Sequence, residues 1–326
     1  HGGSTNPHER VSQGSAPLLH TVESLPMKWT TEDIGDLTGQ TFVVTGANSG
    51  LGLETTKALV AHGALVVAAC RDLAKGQACT LLGGDGSVDL RELDLADLAS
   101  VRAFATGVLA DYPQIDVLMN NAGVMAIPRG ETADGFERQF GTNHLGHFAL
   151  TGELLPALLA APAARIVTTS SGAHKMGRMN FDDLQSKKSY RRWAVYGQSK
   201  LANLLFTLEL QARLAGAGSA AIAVAAHPGF ADTNLQSAHA KATGRALEER
   251  FMGLVNKVMA QPAEMGALPQ LFAATSPSVR GGDYIGPDGF AESRGYPKVV
   301  HPNERAQDVV DAARLWAESV RLTGVD

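Results

Sequence analysis

Thr41-Phe-Val-Val-Thr45-Gly46-Ala-Asn48-Ser49-Gly50-Leu51-Gly52 is the stretch that decides how the chain folds. Thr41 to Thr45 is a short apolar run, as expected of a strand buried in a parallel sheet. It ends at Gly46, and a helix-like segment runs from Leu53 to Ala61 and stops near Gly63. A strand, a glycine-rich turn and a helix N-terminus in this order aim backbone N–H groups at a pyrophosphate. Glycine is required where the backbone turns tightly and approaches such a ligand closely. The spacing is G-x-x-x-G-x-G, not G-x-G-x-x-G, and a ligand-free βα turn shares the pattern. The correct flanking elements favour nucleotide binding by Gly46, Asn48, Ser49, Gly50, Leu51 and Gly52.

Further strands follow at regular intervals. Ala64 to Ala69 ends at Cys70-Arg71-Asp72. An acidic group at this strand end would take the ribose 2′-hydroxyl of NAD, whereas an arginine accommodates the 2′-phosphate of NADP. Cys70 is small and neutral and Arg71 offers a planar fork to a phosphate, so NADP(H) is expected over NAD(H). Asp72 is read as the N-cap of a helix from Leu73 to Leu82. Ser87 to Leu93 is a third strand. Asp94 and Leu95 follow it at a carboxyl end, where an open α/β sheet binds its ligand; Asp94 is placed to meet the adenine amino group or to cap the helix Ala96 to Ala110. Ile115 to Met119 is a fourth strand, and Asn120-Asn121-Ala122-Gly123 forms either a plain turn or part of the cofactor wall.

A long helical stretch from Thr132 to Ala160 contains Asn143 between Gly141 and Gly146, residues that disfavour a helix interior and predict a kink. His144 and His147 lack a third ligand at metal spacing and are read as core or surface histidines. Arg165 to Thr169 is a fifth strand, ending at Ser170-Ser171, and Ala220 to Ala226 a sixth, ending at His227-Pro228-Gly229. Leu235 to Met259 is mixed and amphipathic, and a segment around 230–260 is expected to cover the substrate pocket. Val309, Ala313, Trp316 and Val320 stand at helical spacing in the tail, with core packing as their expected role. Strands alternating with helices predict an α/β fold: a single doubly wound domain with a parallel sheet flanked by helices, over 27–326.

The 326 residues are 44% hydrophobic and 19% charged, with a net charge of -5 and scattered basic residues. That is the composition of a protein with a substantial core and carries no nucleic-acid footprint. Cys70 and Cys79 are too few for a disulfide framework and are read as reduced thiols of a cytoplasmic protein. Residues 1–26, rich in Ser, Gly, Pro and His, are expected to be a disordered leader or a vector-derived remnant. No apolar run approaches the ~20 residues of a membrane span.

Tyr196 and Lys200 stand four apart, on one face of a helix running to about Leu214. A cation beside a phenol favours the phenolate and lowers its pKa toward the neutral range, which makes the pair a candidate acid/base.

Taken together these residues closely resemble the short-chain dehydrogenase/reductase superfamily. The resemblance runs from about Leu37 to the C-terminus and rests on six motifs in order. They are T-G-x-x-x-G-x-G at Thr45 to Gly52, N-N-A-G at Asn120 to Gly123, Asn143, Ser171, Y-x-x-x-K at Tyr196 to Lys200, and P-G-x-x-x-T at Pro228 to Thr233. Ala69-Cys-Arg-Asp72, Thr142 to Phe148, Ser170 to His174, Ser199 to Asn203 and Ala226 to Gly229 are similar to its retinol dehydrogenase-like branch. The resemblance implies a Rossmann fold and a catalytic set of Asn143, Ser171, Tyr196 and Lys200, with Ser170 pointing elsewhere. It implies that Asp94, Leu95, Asn121, Ala122 and Gly123 line the cofactor, that Lys200 also bonds the nicotinamide ribose, and that Pro228, Gly229 and Thr233 fix the nicotinamide. Asn143 would hold a water relaying protons to Lys200. Many relatives carry Cys or Ser where this chain has Gln198, a change expected at the pocket edge. Membrane-bound retinol dehydrogenases carry an N-terminal hydrophobic anchor; none is read here, which argues against retinol itself. The Leu, Phe, Met and Val residues after Thr233 predict an apolar carbonyl or alcohol substrate, with retinoid, steroid, polyketide and xenobiotic types all open. A homodimer is compatible with the resemblance, and no residue decides it. The competing reading is a non-enzymatic NADP-binding regulator on the same fold; a complete catalytic set argues against it.

Overall fold

Eight strands form one sheet in the order β3-β2-β1-β4-β5-β6-β7-β8 in a computed structural model that describes residues 1–2, 28–230 and 261–326. They are β1 (Thr41–Thr45), β2 (Leu65–Cys70), β3 (Ser87–Glu92), β4 (Val117–Asn120), β5 (Arg165–Thr169), β6 (Ile222–Ala226), β7 (Tyr284–Pro287) and β8 (Pro297–Val299). β1 to β7 pair in parallel, and β8 returns antiparallel along β7, with Ile285 opposite Val299. Thr233, the residues 231–260 expected to cover the pocket, and nearly all of the expected leader lie outside the described residues.

The β-branched run of β1 works because both sheet faces are covered. Val43 packs with Val67, Leu118 and Ile166 beneath the Leu98–Asp111 and Gly146–Ala160 helices. Its neighbours Phe42 and Val44 point the other way, into a layer with Val66, Ala68 and Leu271 of the Ala263–Thr275 helix. Successive side chains of a strand face opposite sides, so a strand buried twice needs apolar residues throughout. Chain order reverses between β1 and β4, and the crevice beyond their carboxyl ends is where such sheets bind ligands.

Several expected elements differ in detail. The sheet has eight strands, not five or six; Tyr284–Pro287 and Pro297–Val299 are short and carry Pro and Gly, which hides them. The first helix begins at Gly50, three residues before the apolar pattern starts. The Leu73 helix changes to a 3-10 turn after Gly76, where a Cβ would lie 2.6 Å from Leu90 of β3. Asp72 caps it as expected, accepting from Lys75 N. Asp97, not Asp94, caps the Leu98–Asp111 helix. The long stretch from Thr132 becomes helical only at Arg138, where the Glu137 carboxylate accepts from Gln139 and Phe140 N–H. The kink expected at Asn143 is a π turn over Gly141–Leu145. In the tail helix Val309–Thr323 the buried face is Ala312, Leu315, Ser319 and Thr323; Val309 and Ala313 are exposed and Trp316 and Val320 flank it.

Candidate active site

The carboxyl ends of β1 to β6 open onto one cavity of about 710 Å³. Seventeen residues singled out in the sequence converge there. Gly46, Asn48, Ser49, Gly50, Leu51 and Gly52 form one side; Arg71 stands after β2, and Asp94 and Leu95 after β3. Asn121, Ala122 and Gly123 follow β4, Ser171 follows β5, Pro228 and Gly229 follow β6, and Tyr196 and Lys200 project from the Arg192–Gly216 helix. Asn143 does not line the cavity; it is fully buried one layer behind.

The glycine turn is shaped for close approach. Gly46 and Gly50 have φ of +67 and +51, a left-handed region where glycine carries no penalty. A Cβ on Gly52 would sit 2.2 Å from Gly46 O. The turn leads into the N-terminus of the Gly50–Ala61 helix, whose first amides face outward. On the same cavity the Oδ1 of Asn121 and the hydroxyl of Thr142 are buried without a hydrogen-bond partner among the described residues. A dinucleotide fits this arrangement: a glycine-rich turn that lets the backbone approach its diphosphate, and buried polar atoms awaiting partners.

Thr45 braces the cradle, a role its place in the motif did not reveal. Its hydroxyl accepts from the amides of Asn121 and Ala122, at 2.9 Å each, and lies 3.0 Å from His147 Nε2. Burial pushes His147 down to about 4, so the ring is neutral. Its Nδ1 faces the Asn143 carbonyl at 3.1 Å and must carry the proton, leaving Nε2 to accept from Thr45. His144 is equally buried and is pushed down to about 3; its Nε2 meets Ser319 at 2.8 Å. Both histidines are core residues, and no metal-binding cluster occurs among the described residues.

Asn143 uses its whole side chain. Its Nδ2 donates to Val124 O and Ser199 Oγ, both at 2.9 Å, and its Oδ1 accepts from Val124 N at 2.8 Å. Gly123 lies between this amide and Lys200, since a Cβ there would be 3.1 Å from Asn143 Oδ1 and 3.5 Å from Lys200 Nζ.

The two adjacent serines diverge. Ser170 also borders the cavity, but its hydroxyl is committed to Lys200 O at 2.8 Å. Ser171 lines the cavity beside Tyr196, and its hydroxyl accepts from Ala173 N at 3.2 Å. Gln198 does not reach the cavity edge: it accepts from Asn180 N and donates to Leu184 O, tying down the loop before the helix.

The electrostatics of the Tyr196–Lys200 pair differ from the expectation. Lys200 Nζ donates to Thr169 O at 3.0 Å and lies 5.9 Å from the Tyr196 ring centre. Burial pushes the phenol up to about 12, only partly offset by Ser171, and pushes the ammonium down to about 8. The phenol is therefore a protonated donor at neutral pH and Lys200 a cation close to its titration point. Cofactor-side charges are equally defined. Cys70 is pushed up to about 12 by burial, so it is a neutral thiol. Asp72 is engaged by Lys75, whose Nζ lies 2.8 Å from Oδ2.

Other lining residues had no motif to reveal them. Met125 and Met176 line the cavity, Trp193 meets the Tyr196 ring edge-on at 6.1 Å, and Lys175, His227 and Glu292 stand together at the rim. Among the described residues no helix is long and apolar enough to cross a membrane.

Comparison with known proteins agrees with this geometry. A family model described as short chain dehydrogenase matches residues 40–244. The chain is 40% identical to human retinol dehydrogenase 13 over 295 residues, covering 88% of this chain and 86% of the relative. It is 45% identical to an uncharacterised protein from Mycobacterium Paratuberculosis whose crystal structure superposes with a TM-score of 0.77, covering 92% and 98% of the two chains. A Beutenbergia cavernae structure titled as an NAD(P)-dependent gluconate 5-dehydrogenase with bound NADP at low occupancy is 27% identical, with a TM-score of 0.57 over 76% of this chain and 95% of that one. With its motifs gathered at one crevice of a doubly wound sheet, the chain belongs to the short-chain dehydrogenase/reductase family, in its retinol dehydrogenase-like branch, and is an alcohol/carbonyl oxidoreductase on a fold that binds a nicotinamide cofactor.

Proposed function

We propose that the protein is an NADP(H)-dependent oxidoreductase for the carbonyl or alcohol carbon of an apolar small molecule, of retinoid, steroid or polyketide type. One observation carries the reading: Tyr196, Ser171 and Lys200 share the wall of a cavity that is also lined by the glycine-rich turn Gly46 to Gly52 and by Arg71.

The nicotinamide, when bound, supplies or accepts the hydride. Gly46 to Gly52 hold the diphosphate. Arg71 lines the cavity beside Asp72, whose carboxylate is engaged in capping and by Lys75, so Arg71 supports NADP over NAD. Pro228, Gly229 and Thr233 are assigned to the nicotinamide end.

In the reductive direction Tyr196 gives its phenolic proton to the substrate oxygen. Ser171 donates a hydrogen bond to the same oxygen, its lone pair fixed by Ala173 N–H so that its proton is free to turn toward the cavity. Lys200 stabilises the phenolate left behind. Both amide hydrogens of Asn143 are committed, so a proton relay through this residue passes its main-chain carbonyl, which has a second lone pair beside the one facing His147. Met125, Met176 and Trp193 on the cavity wall favour an apolar substrate. Two buried, unpaired cysteines support a cytoplasmic setting.

The test is oxidation of NADPH and NADH with a panel of apolar aldehydes and ketones. A preference for NADPH of about 10-fold or more is expected, and Tyr196→Phe should lower turnover by ~100-fold or more while retaining dinucleotide binding. Equal or better use of NADH would overturn the cofactor assignment. Tight NADPH binding with no turnover of any carbonyl would replace the enzyme by a binding protein.

A further inference from the structure

Glu292 sits at the cavity rim on a turn whose backbone is unusual. Ala291 and Glu292 have φ of 50 and 56, consecutive non-glycine residues in the left-handed region, which L-residues enter at a cost. Such a conformation persists where its surroundings hold it, and it is enriched at functional sites.

The surroundings are specific. Glu292 Oε2 lies 3.3 Å from Lys175 Nζ and 3.2 Å from His227 Nε2. Lys175 belongs to the 3-10 turn Gly172–Met176 that begins immediately after Ser171. His227 follows β6 and immediately precedes Pro228-Gly229. One carboxylate thus joins the two loops that flank the reactive end of the cavity. The same turn grips Gly229 and Phe230 through its backbone. Phe230 N donates to Ser293 O at 2.7 Å, and a Cβ on Gly229 would lie 2.5 Å from that oxygen.

The histidine transmits the hold. Gly229 N–H donates to His227 Nδ1 at 3.2 Å, so the ring proton of the neutral form is on Nε2, facing the carboxylate. His227 is almost fully buried, and its ring is pressed against Gly286 of β7, where no Cβ would fit. A carboxylate behind an imidazole fixes both its tautomer and its orientation. The nearby His227 ring, close to the carboxylate but not aligned for a hydrogen bond, and the bond from Lys175 hold the Glu292 carboxyl down at about 2, so it stays ionised across the working range.

We propose that Glu292 is a positioning residue for the nicotinamide end of the cofactor, acting through His227 on the Gly229 amide and through Lys175 on the serine turn. This rests on the reading of the cavity as a dinucleotide site, with Pro228-Gly229 at its nicotinamide end.

The experiment compares wild type, Glu292→Ala and Glu292→Gln by calorimetric titration with NADPH and with adenosine 2′,5′-bisphosphate, which occupies only the adenine end. Glu292→Ala should bind NADPH about 5–10-fold more weakly, the loss of roughly one charge-assisted bond, and bind the bisphosphate as wild type does. Glu292→Gln keeps an acceptor for His227 and should restore NADPH affinity to within about 2-fold. Unchanged NADPH affinity in Glu292→Ala, equal loss of both ligands, or no rescue by Gln would each overturn the role. Should Glu292→Ala not fold, as judged by circular dichroism, Lys175→Met on the exposed end of the clasp replaces it. A loss of about 2–3-fold for NADPH alone is then required, and any other result overturns the proposal. Wild-type protein that binds neither ligand would sink the dinucleotide reading itself, a different outcome from all of these.

Discussion

Lys200 carries a buried charge with a single described acceptor, Thr169 O. Its folded pKa, about 8, lies below the ordinary 10.5. Below pH 8 both folded and unfolded chains hold the proton, and the folded state bears the full desolvation cost. Between about 8 and 10.5 the folded chain releases the proton first, so this residue's contribution rises with pH and the cost is gone above that window. Lys200→Met should therefore raise stability near pH 7 by about 1–3 kcal/mol while abolishing turnover, with the gain shrinking as pH passes 8. Denaturant melts of both proteins at pH 7 and pH 10 measure this; a variant less stable than wild type at pH 7 would show that the ammonium is better solvated than its burial indicates. Thr45→Val tests the brace under the cradle. It leaves the Asn121 and Ala122 amides and His147 without their partner and should cost about 1–3 kcal/mol, together with weaker dinucleotide binding, read by thermal melts and titration. Gly52 was legible from the glycine spacing after β1 and Tyr196 from its four-residue spacing to Lys200 on one helix, whereas Ser171 was singled out through the family resemblance. Glu292 was not: its partner Lys175 is 117 positions away, and no local pattern joins them.

Among the elements, the glycine turn and the π turn do the positioning. Gly52→Ala forces a methyl group against Gly46 O. The turn must open, and a loss of about 10-fold or more in dinucleotide affinity is expected along with ~1–3 kcal/mol of stability; titration calorimetry and melting of the same sample report both. The helix-breaking pair Gly141 and Gly146 announced an irregularity around Asn143, and the π turn is its form. β1, β2, β4, β5 and β6 were legible because each is an apolar run of strand length, and β3 because it fills the interval between two helical segments. β7 and β8 were not, since their three or four residues carry no period and their pairing is set by tertiary contact. The tail helix was placed correctly but rotated: apolar spacing picked Val309 and Ala313, whereas small polar Ser319 and Thr323 take the buried side by bonding back to Leu315 O and Ser319 O.

At the scale of the molecule, the tail helix closes the layer that carries His144 and the back of the Arg192–Gly216 helix. Trp316 stacks on Phe206 at 6.0 Å and meets Phe148 edge-on at 4.9 Å, while Arg213 covers its other contact surface at 4.3 Å. Trp316→Ala should cost about 2–4 kcal/mol of stability and leave KM for carbonyl and dinucleotide unchanged, because none of these contacts borders the cavity. A change in KM without a change in melting temperature would mean that the layer is coupled to the site in a way these contacts do not carry.

The grip of Ser293 on the Gly229 loop also sets an order of assembly. A nascent chain emerges N-terminus first and its early units fold before later ones arrive. The cradle, Arg71 and the Tyr196 helix all precede the strand pair that clamps Gly229. On the proposed reading of the cavity, the growing polypeptide thus delivers the groups assigned to the adenosine half before those assigned to the reacting ring. A chain interrupted before Tyr284 would retain the groups that capture a nucleotide without those that orient its chemistry, and the last forty or so residues act as the commissioning step of the enzyme.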